Sequence, residues 1–186
     1  HPGIDNSLFR DAPQPFTTHS GELLRYHDVT RFGCTPCHDG QGVATSVEAA
    51  HGHEANWLAP MLPMAYVQAS CMRCHEVTHG VKGAELISRG ADVFLAKGCY
   101  GCHDVKGVTY LPKFSPPLTP IKSKLADPAN WMYAWIRDPI HMSPETLMPV
   151  FKRPDEEIGK ITAFLLSFPE GKRNEPVALE GASAEE

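Results

Sequence analysis

Residues 84–103 read AELISRGADVFLAKGCYGCH. Leu86, Ile87, Val93 and Phe94 recur at helical spacing and share one face, which predicts a helix over 84–97. Gly98 ends it, as a glycine just past a helix end usually does. The helix therefore delivers the chain directly into Cys99-Tyr100-Gly101-Cys102-His103. The same C-x-x-C-H pattern stands at Cys34-Thr35-Pro36-Cys37-His38 and at Cys71-Met72-Arg73-Cys74-His75. These three copies use all 6 cysteines of the chain.

Bland readings of cysteine pairs are a zinc ribbon, a redox dithiol or a disulfide scaffold. None of them needs a histidine after the second cysteine. Histidine is 10 of 186 residues, so three such successions by chance come to roughly one in six thousand. A chain of 186 residues can also bury a core without disulfide staples. C-x-x-C-H is the attachment signature of haem c. Two thioethers need sulfurs about one helical turn apart, and the next residue then offers an imidazole to the iron from the same side. Three copies predict three covalently bound haem c groups, held by Cys34, Cys37, Cys71, Cys74, Cys99 and Cys102. The iron ligands supplied by the motifs are His38, His75 and His103.

Composition narrows the remaining possibilities. A formal charge of −5 removes the electrostatic basis for nucleic-acid binding. The longest apolar stretch, residues 57–67, is cut by Pro60 and Pro63 and is too short to span a bilayer. Seventeen prolines in 186 residues are nearly double the usual share, so short helices and many loops are expected. The predicted fold class is mostly α and loop-rich. The chain opens at His1 rather than Met, as a processed or trimmed chain does.

Motif density is uneven along the chain. Two motifs fall within residues 1–83, and the third has the rest to itself. That predicts a dihaem module over 1–83, wrapped around its haems, and a monohaem domain over 84–170. Residues 171–186, with Glu175, Glu180, Glu185 and Glu186 among small residues, read as an acidic flexible tail. Within the second part, Asp127-Pro128 starts a helix through Trp131, Trp135 and Ile136 that stops before Pro139. A last helix begins near Pro154-Asp155 and carries Ile158, Ile161, Phe164, Leu165 and Phe168 at helical spacing.

This order of helix, motif, Pro-containing loop at 115–118, Met-bearing loop at 146–149 and final helix resembles a class I cytochrome c. The resemblance covers about residues 83–169 and implies an all-α domain in which Gly90, Phe94 and Phe164 form the crossing of the terminal helices. It also implies a methionine thioether as sixth iron ligand, and Met148 before Pro149 matches that position. Met142 and His141 are competitors a few residues upstream. Pro117 resembles the proline whose carbonyl orients the proximal imidazole, although the double proline leaves two carbonyls available.

The first part resembles the multihaem c-type cytochromes, which implies histidine on both sides of each iron. Candidates are His19, His27, His51, His53 and His79. Ser20 is expected to cap a short helix in which His27 shares a face with Leu23 and Leu24; Val47, Ala50 and His51 form a similar face ended by Gly52. His27 and His51 are therefore the expected distal ligands. His79, four residues after His75, shares its helical face and reaches round that haem less easily, and it stays a candidate with His19 and His53. Trp57, Met61, Met64 and Tyr66 are expected to pack on porphyrin faces, and Gly33, Gly40 and Gly42 to admit close approach to a porphyrin.

The expected function is electron transfer, not enzymatic turnover: electrons pass between the bis-His pair and a His/Met haem of higher potential, and on to redox partner proteins. No small-molecule substrate is expected. The alternatives are a haem c subunit of a membrane-bound redox complex, marked by an anchor at the encoded N-terminus, and a haem enzyme with one open iron. Covalent attachment of haem c is completed outside the energy-transducing membrane, so a periplasmic or extracellular location is expected. An acidic protein would meet partners through a basic docking patch on their side.

Overall fold

The computed structural model describes residues 7–13, 16–57, 59–75, 79–106 and 113–168. His1, residues 169–170 and the acidic segment 171–186 lie outside them. Among the described residues the chain is helical with no strand. It divides into two compact units, His1–Val67 and Gln68–Glu186. That division falls ahead of the second motif, whereas motif density had pointed to residues 81–83.

The first unit is built from single helical turns. They are α1 (Leu23–Tyr26), α2 (Val29–Phe32), α3 (Thr35–His38) and α4 (Val47–Ala50). Asp28 caps α2 by accepting from Thr30 N at 2.8 Å, and Ser46 caps α4 by accepting from Ala49 N at 3.2 Å. The expected cap at Ser20 is not formed: α1 follows Glu22, without a side-chain cap, and ends before His27. One turn cannot establish an apolar face, and Leu23 and Val47 are in fact exposed.

Backbone approaches hold this unit together. Gly40 N donates to Ala59 O at 2.9 Å, Met61 N to His51 O at 2.8 Å and Leu62 N to His38 O at 2.8 Å. The space beside Gly40 is filled by the Ala50 carbonyl, and a Cβ on Gly52 would come within 2.7 Å of Pro60 and Trp57. Gly40 thus admits another stretch of its own chain, not the porphyrin contact expected of it. Leu62 is the only buried hydrophobic side chain of this unit among the described residues, while Leu8, Tyr26, Val43 and Val47 are all at least 66% exposed. So few buried apolar groups cannot offset the entropy of ordering some sixty residues.

The second unit has a conventional core. A 3₁₀ helix, Met64–Arg73, leads into it and carries Cys71. Helix α5 (Glu85–Ala96) follows, then α6 (Pro128–Arg137), α7 (Pro139–Met142) and α8 (Asp155–Leu166). The expected α5, α6 and α8 are all present. The short α7 was not anticipated; Pro139 opens it, with Asp138 accepting from His141 N. Gln68 Oε1 accepts from Leu86 N at 2.7 Å and so closes the start of α5 from a distance.

Helices α5 and α8 cross at Gly90, where there is no room for a Cβ between Gly90 and the Lys160 carbonyl. Phe94 and Phe164 pack beside this crossing with ring centroids 5.5 Å apart. Ile87, Phe94, Ile158, Ile161, Phe164 and Leu165 are buried there, as their spacing predicts.

Candidate haem-binding sites

All three C-x-x-C-H motifs adopt one local geometry. The second cysteine N donates to the first cysteine O at 3.2, 3.2 and 3.3 Å, and the histidine N donates to that same oxygen at 3.0, 3.0 and 3.1 Å. Each motif is thus a single turn that brings its two sulfurs to successive levels of one spiral, with the histidine immediately after. None of the six cysteines, all among the described residues, is joined in a disulfide. Among the described residues no three His, Cys, Asp or Glu side chains gather where a bare metal ion could sit. The zinc reading therefore has no geometric support.

The third motif opens onto a cavity of about 310 Å³ in the second unit. Cys99, His103 and Met148 all line it, together with apolar groups such as Phe94, Leu118 and Trp135. Burial pushes the Cys99 thiol pKa up. His103 Nδ1 donates to Pro116 O at 2.8 Å. A carbonyl can only accept, so Nδ1 carries the proton and Nε2 keeps its lone pair for a metal. The carbonyl is that of Pro116, one residue before the expected Pro117. The reason lies in the flanking bonds: Ser115 N donates to Cys102 O at 3.3 Å and Leu118 N to Asp104 O at 2.9 Å, which fixes the loop's register.

Met148 is held from two sides. Its N–H donates to Thr146 Oγ1 at 3.2 Å, and its sulfur accepts from Trp135 Nε1 at 3.1 Å. Trp135 in turn stacks on Trp131, with centroids 4.9 Å apart and planes 10° from parallel. His141 and Met142 lie exposed on α7 and are not among the cavity-lining groups. The spacing of Trp135 in the sequence marks it only as part of an apolar helix face, and nothing in that pattern signals its bond to Met148.

In the first unit, the ring of His38 is partly buried, and its Nδ1 is buried with no hydrogen-bond partner. Burial, and then the neighbouring His19, hold its pKa below the usual histidine value, a shift toward the neutral form that metal ligation uses. The His19 ring lies 6.2 Å from it, centroid to centroid. His27 is placed differently: its Nδ1 donates to Leu23 O at 3.1 Å, and its ring packs on Phe32 at 5.9 Å. His51 packs edge-on against His53 at 6.0 Å. Trp57 folds over Gly52 and donates to Ala59 O at 2.9 Å. In the second unit, His75 is exposed, and His79 Nε2 is paired with Asp92 Oδ1 at 3.0 Å.

The donor sets fit covalent haem. Each motif supplies two thiols and a following imidazole. At the third, an apolar cavity of the size that holds cofactors is lined by a second donor, the Met148 thioether. No helix among the described residues is long and apolar enough to cross a membrane. No curated protein and no solved structure matches the chain. The cytochrome c family model, however, matches residues 87–169, the stretch that contains most of α5, the third motif, the cavity walls and α8. Residues 87–169 thus match the cytochrome c family, and that match supports covalent binding of haem c and electron transfer by the C-terminal part.

Proposed function

We propose that the chain is a trihaem c-type cytochrome in which a bis-His pair of haems exchanges electrons with a His/Met haem in the cytochrome c domain. One observation carries this reading: the two earlier motifs repeat, to within 0.1 Å in both backbone hydrogen bonds, the turn that the cytochrome c domain uses. The scarcity of buried apolar groups in the first unit supports it, since a porphyrin would provide the missing core.

Haem supplies a one-electron couple, and the chain sets its properties. Cys99 and Cys102 would tether the macrocycle, and Pro116 O holds the His103 ring so that Nε2 keeps its lone pair for the iron. Thr146 and Trp135 hold the Met148 thioether at the cavity. A soft thioether favours the reduced metal more than an imidazole does, so the His/Met site lies at higher potential. Electrons then run downhill from the bis-His pair to the cytochrome c domain. The distal ligand of the haem at His38 would come from His19, His27, His51 or His53, the histidines of its own unit.

Electron exchange with partner proteins would use their basic patches against this acidic chain, and rates should fall with rising salt. The proposed location is periplasmic or extracellular, where haem c is attached. Potentiometric titration of the holoprotein, followed by absorbance, tests the scheme. It should resolve one high-potential haem with a sulfur-to-iron charge-transfer band in the far red, and two low-potential haems without one. Three haems titrating together, or no such band, would overturn it.

A further inference from the structure

We propose that His19 is the second axial ligand of the iron ligated by His38, in the haem that Cys34 and Cys37 would tether, a position for which the sequence had left the choice among the distal histidines open. This rests on the reading that the first motif carries haem.

A metal–imidazole bond is about 2.0–2.1 Å, and a ring nitrogen lies about 1.1 Å from the imidazole centroid. Two imidazoles on opposite sides of one metal therefore have centroids about 6.3 Å apart. The His19 and His38 centroids are 6.2 Å apart. Their planes are 79° apart, which trans ligation allows because each ring can turn about its own bond to the metal.

Hydrogen bonding supplies a second argument. His19 Nδ1 donates to Ser20 O at 2.9 Å, so Nε2 is the nitrogen with the free lone pair. The segment ahead of it is pinned: Phe9 O accepts from Thr18 N at 3.1 Å, and Arg10 O from Thr17 Oγ1 at 3.0 Å. His38 is anchored independently by its turn and by Leu62 N on its carbonyl at 2.8 Å. Two rings fixed by separate stretches of chain thus stand at the separation that one metal between them requires.

The other histidine pair at a similar distance does not qualify. His51 and His53 are separated by a single residue, so their Cα atoms are at most about 7 Å apart. Trans imidazoles on one metal place the Cα atoms more than about 10 Å apart. His51 and His53 cannot flank one macrocycle. His27 has the right tautomer, but its ring is turned onto Phe32.

The test uses the full holoprotein. His19→Ala should keep three haems per chain, yet one ferrous haem in three should newly bind carbon monoxide, and added imidazole should restore the six-coordinate spectrum. The near-perpendicular rings also predict a low-spin ferric electron paramagnetic resonance signal with an unusually large principal g value, which His19→Ala should remove. His19→Met, which keeps a ligand, should leave carbon monoxide excluded and add a second far-red sulfur band. His27→Ala should change none of these. The inference is overturned if His27→Ala opens the iron and His19→Ala or His19→Met leaves all signals at wild-type values. The underlying haem reading fails separately if Cys34→Ala with Cys37→Ala leaves the haem count unchanged.

Discussion

Gly90→Ala sets helix propensity against packing, and the two predict opposite signs. In an exposed helix interior the change stabilises by about 0.8–1 kcal/mol. In α5, however, the new Cβ would fall on the Lys160 carbonyl, with Phe164 Cβ at 2.8 Å and Lys160 C at 2.9 Å. Carbon atoms rest about 3.5–4.0 Å apart, so α5 and α8 would have to separate by roughly 1 Å. That separation loosens the Phe94–Phe164 contact and the buried groups around it. Overpacking costs about 1–3 kcal/mol, and backbone obstruction places this case at the upper end. Net of propensity, we expect a loss of about 2 kcal/mol. With a slope of about 2 kcal/mol/M, the urea midpoint of the holoprotein should fall by about 1 M when followed by circular dichroism. Gly159→Ala is the control: an added Cβ meets nothing within 4 Å in α8, so propensity alone should raise the midpoint. A Gly90→Ala midpoint at or above wild type would refute the claim that the two helix backbones meet there.

Trp135→Phe removes the N–H that draws electron density from the Met148 sulfur, so one haem potential should fall by up to about 40 mV in a spectropotentiometric titration, with the other two unmoved. Met148→Ala should abolish the far-red band and open one ferrous haem to carbon monoxide, whereas Met142→Ala, on the exposed α7, should do neither. Hydrogen bonds from the Thr30 side chain and backbone hold the Asp28 carboxyl below its usual pKa. Its contribution is therefore fully present above about pH 4 and is lost as pH falls through the lowered folded value. Asp28→Ala should remove that part of the acid dependence of unfolding; an unchanged acid limb would show that the α2 cap is not formed in solution.

What sequence alone made legible follows from how far each signal reaches. Helices α5, α6 and α8 each run ten residues or more, long enough for Ile87, Phe94, Ile161 and Phe164 to repeat at the helical period and mark a core. The turns of the first unit are four residues each, too short for any period to form. Assigning His27 to an apolar face therefore had no face to rest on. His19 lies outside any helix, and only tertiary contact brings it to His38. The choice between Pro116 and Pro117 is similar: both offer a carbonyl, and the bonds flanking them decide which one faces His103. The Trp135–Met148 bond joins residues thirteen apart on a helix and a loop, and no periodic pattern records it.

Haem stoichiometry is the central claim, and the intact mass of the mature holoprotein under denaturing conditions counts it directly. Denaturation strips any group held only by ligation or packing, whereas thioether-bound haem stays on the chain. The mass should equal the polypeptide plus three haems, falling by one haem when Cys34 and Cys37, or Cys71 and Cys74, are replaced by Ala. A mass carrying a single haem, retained when both of those pairs are removed and lost only with Cys99 and Cys102, would contradict it.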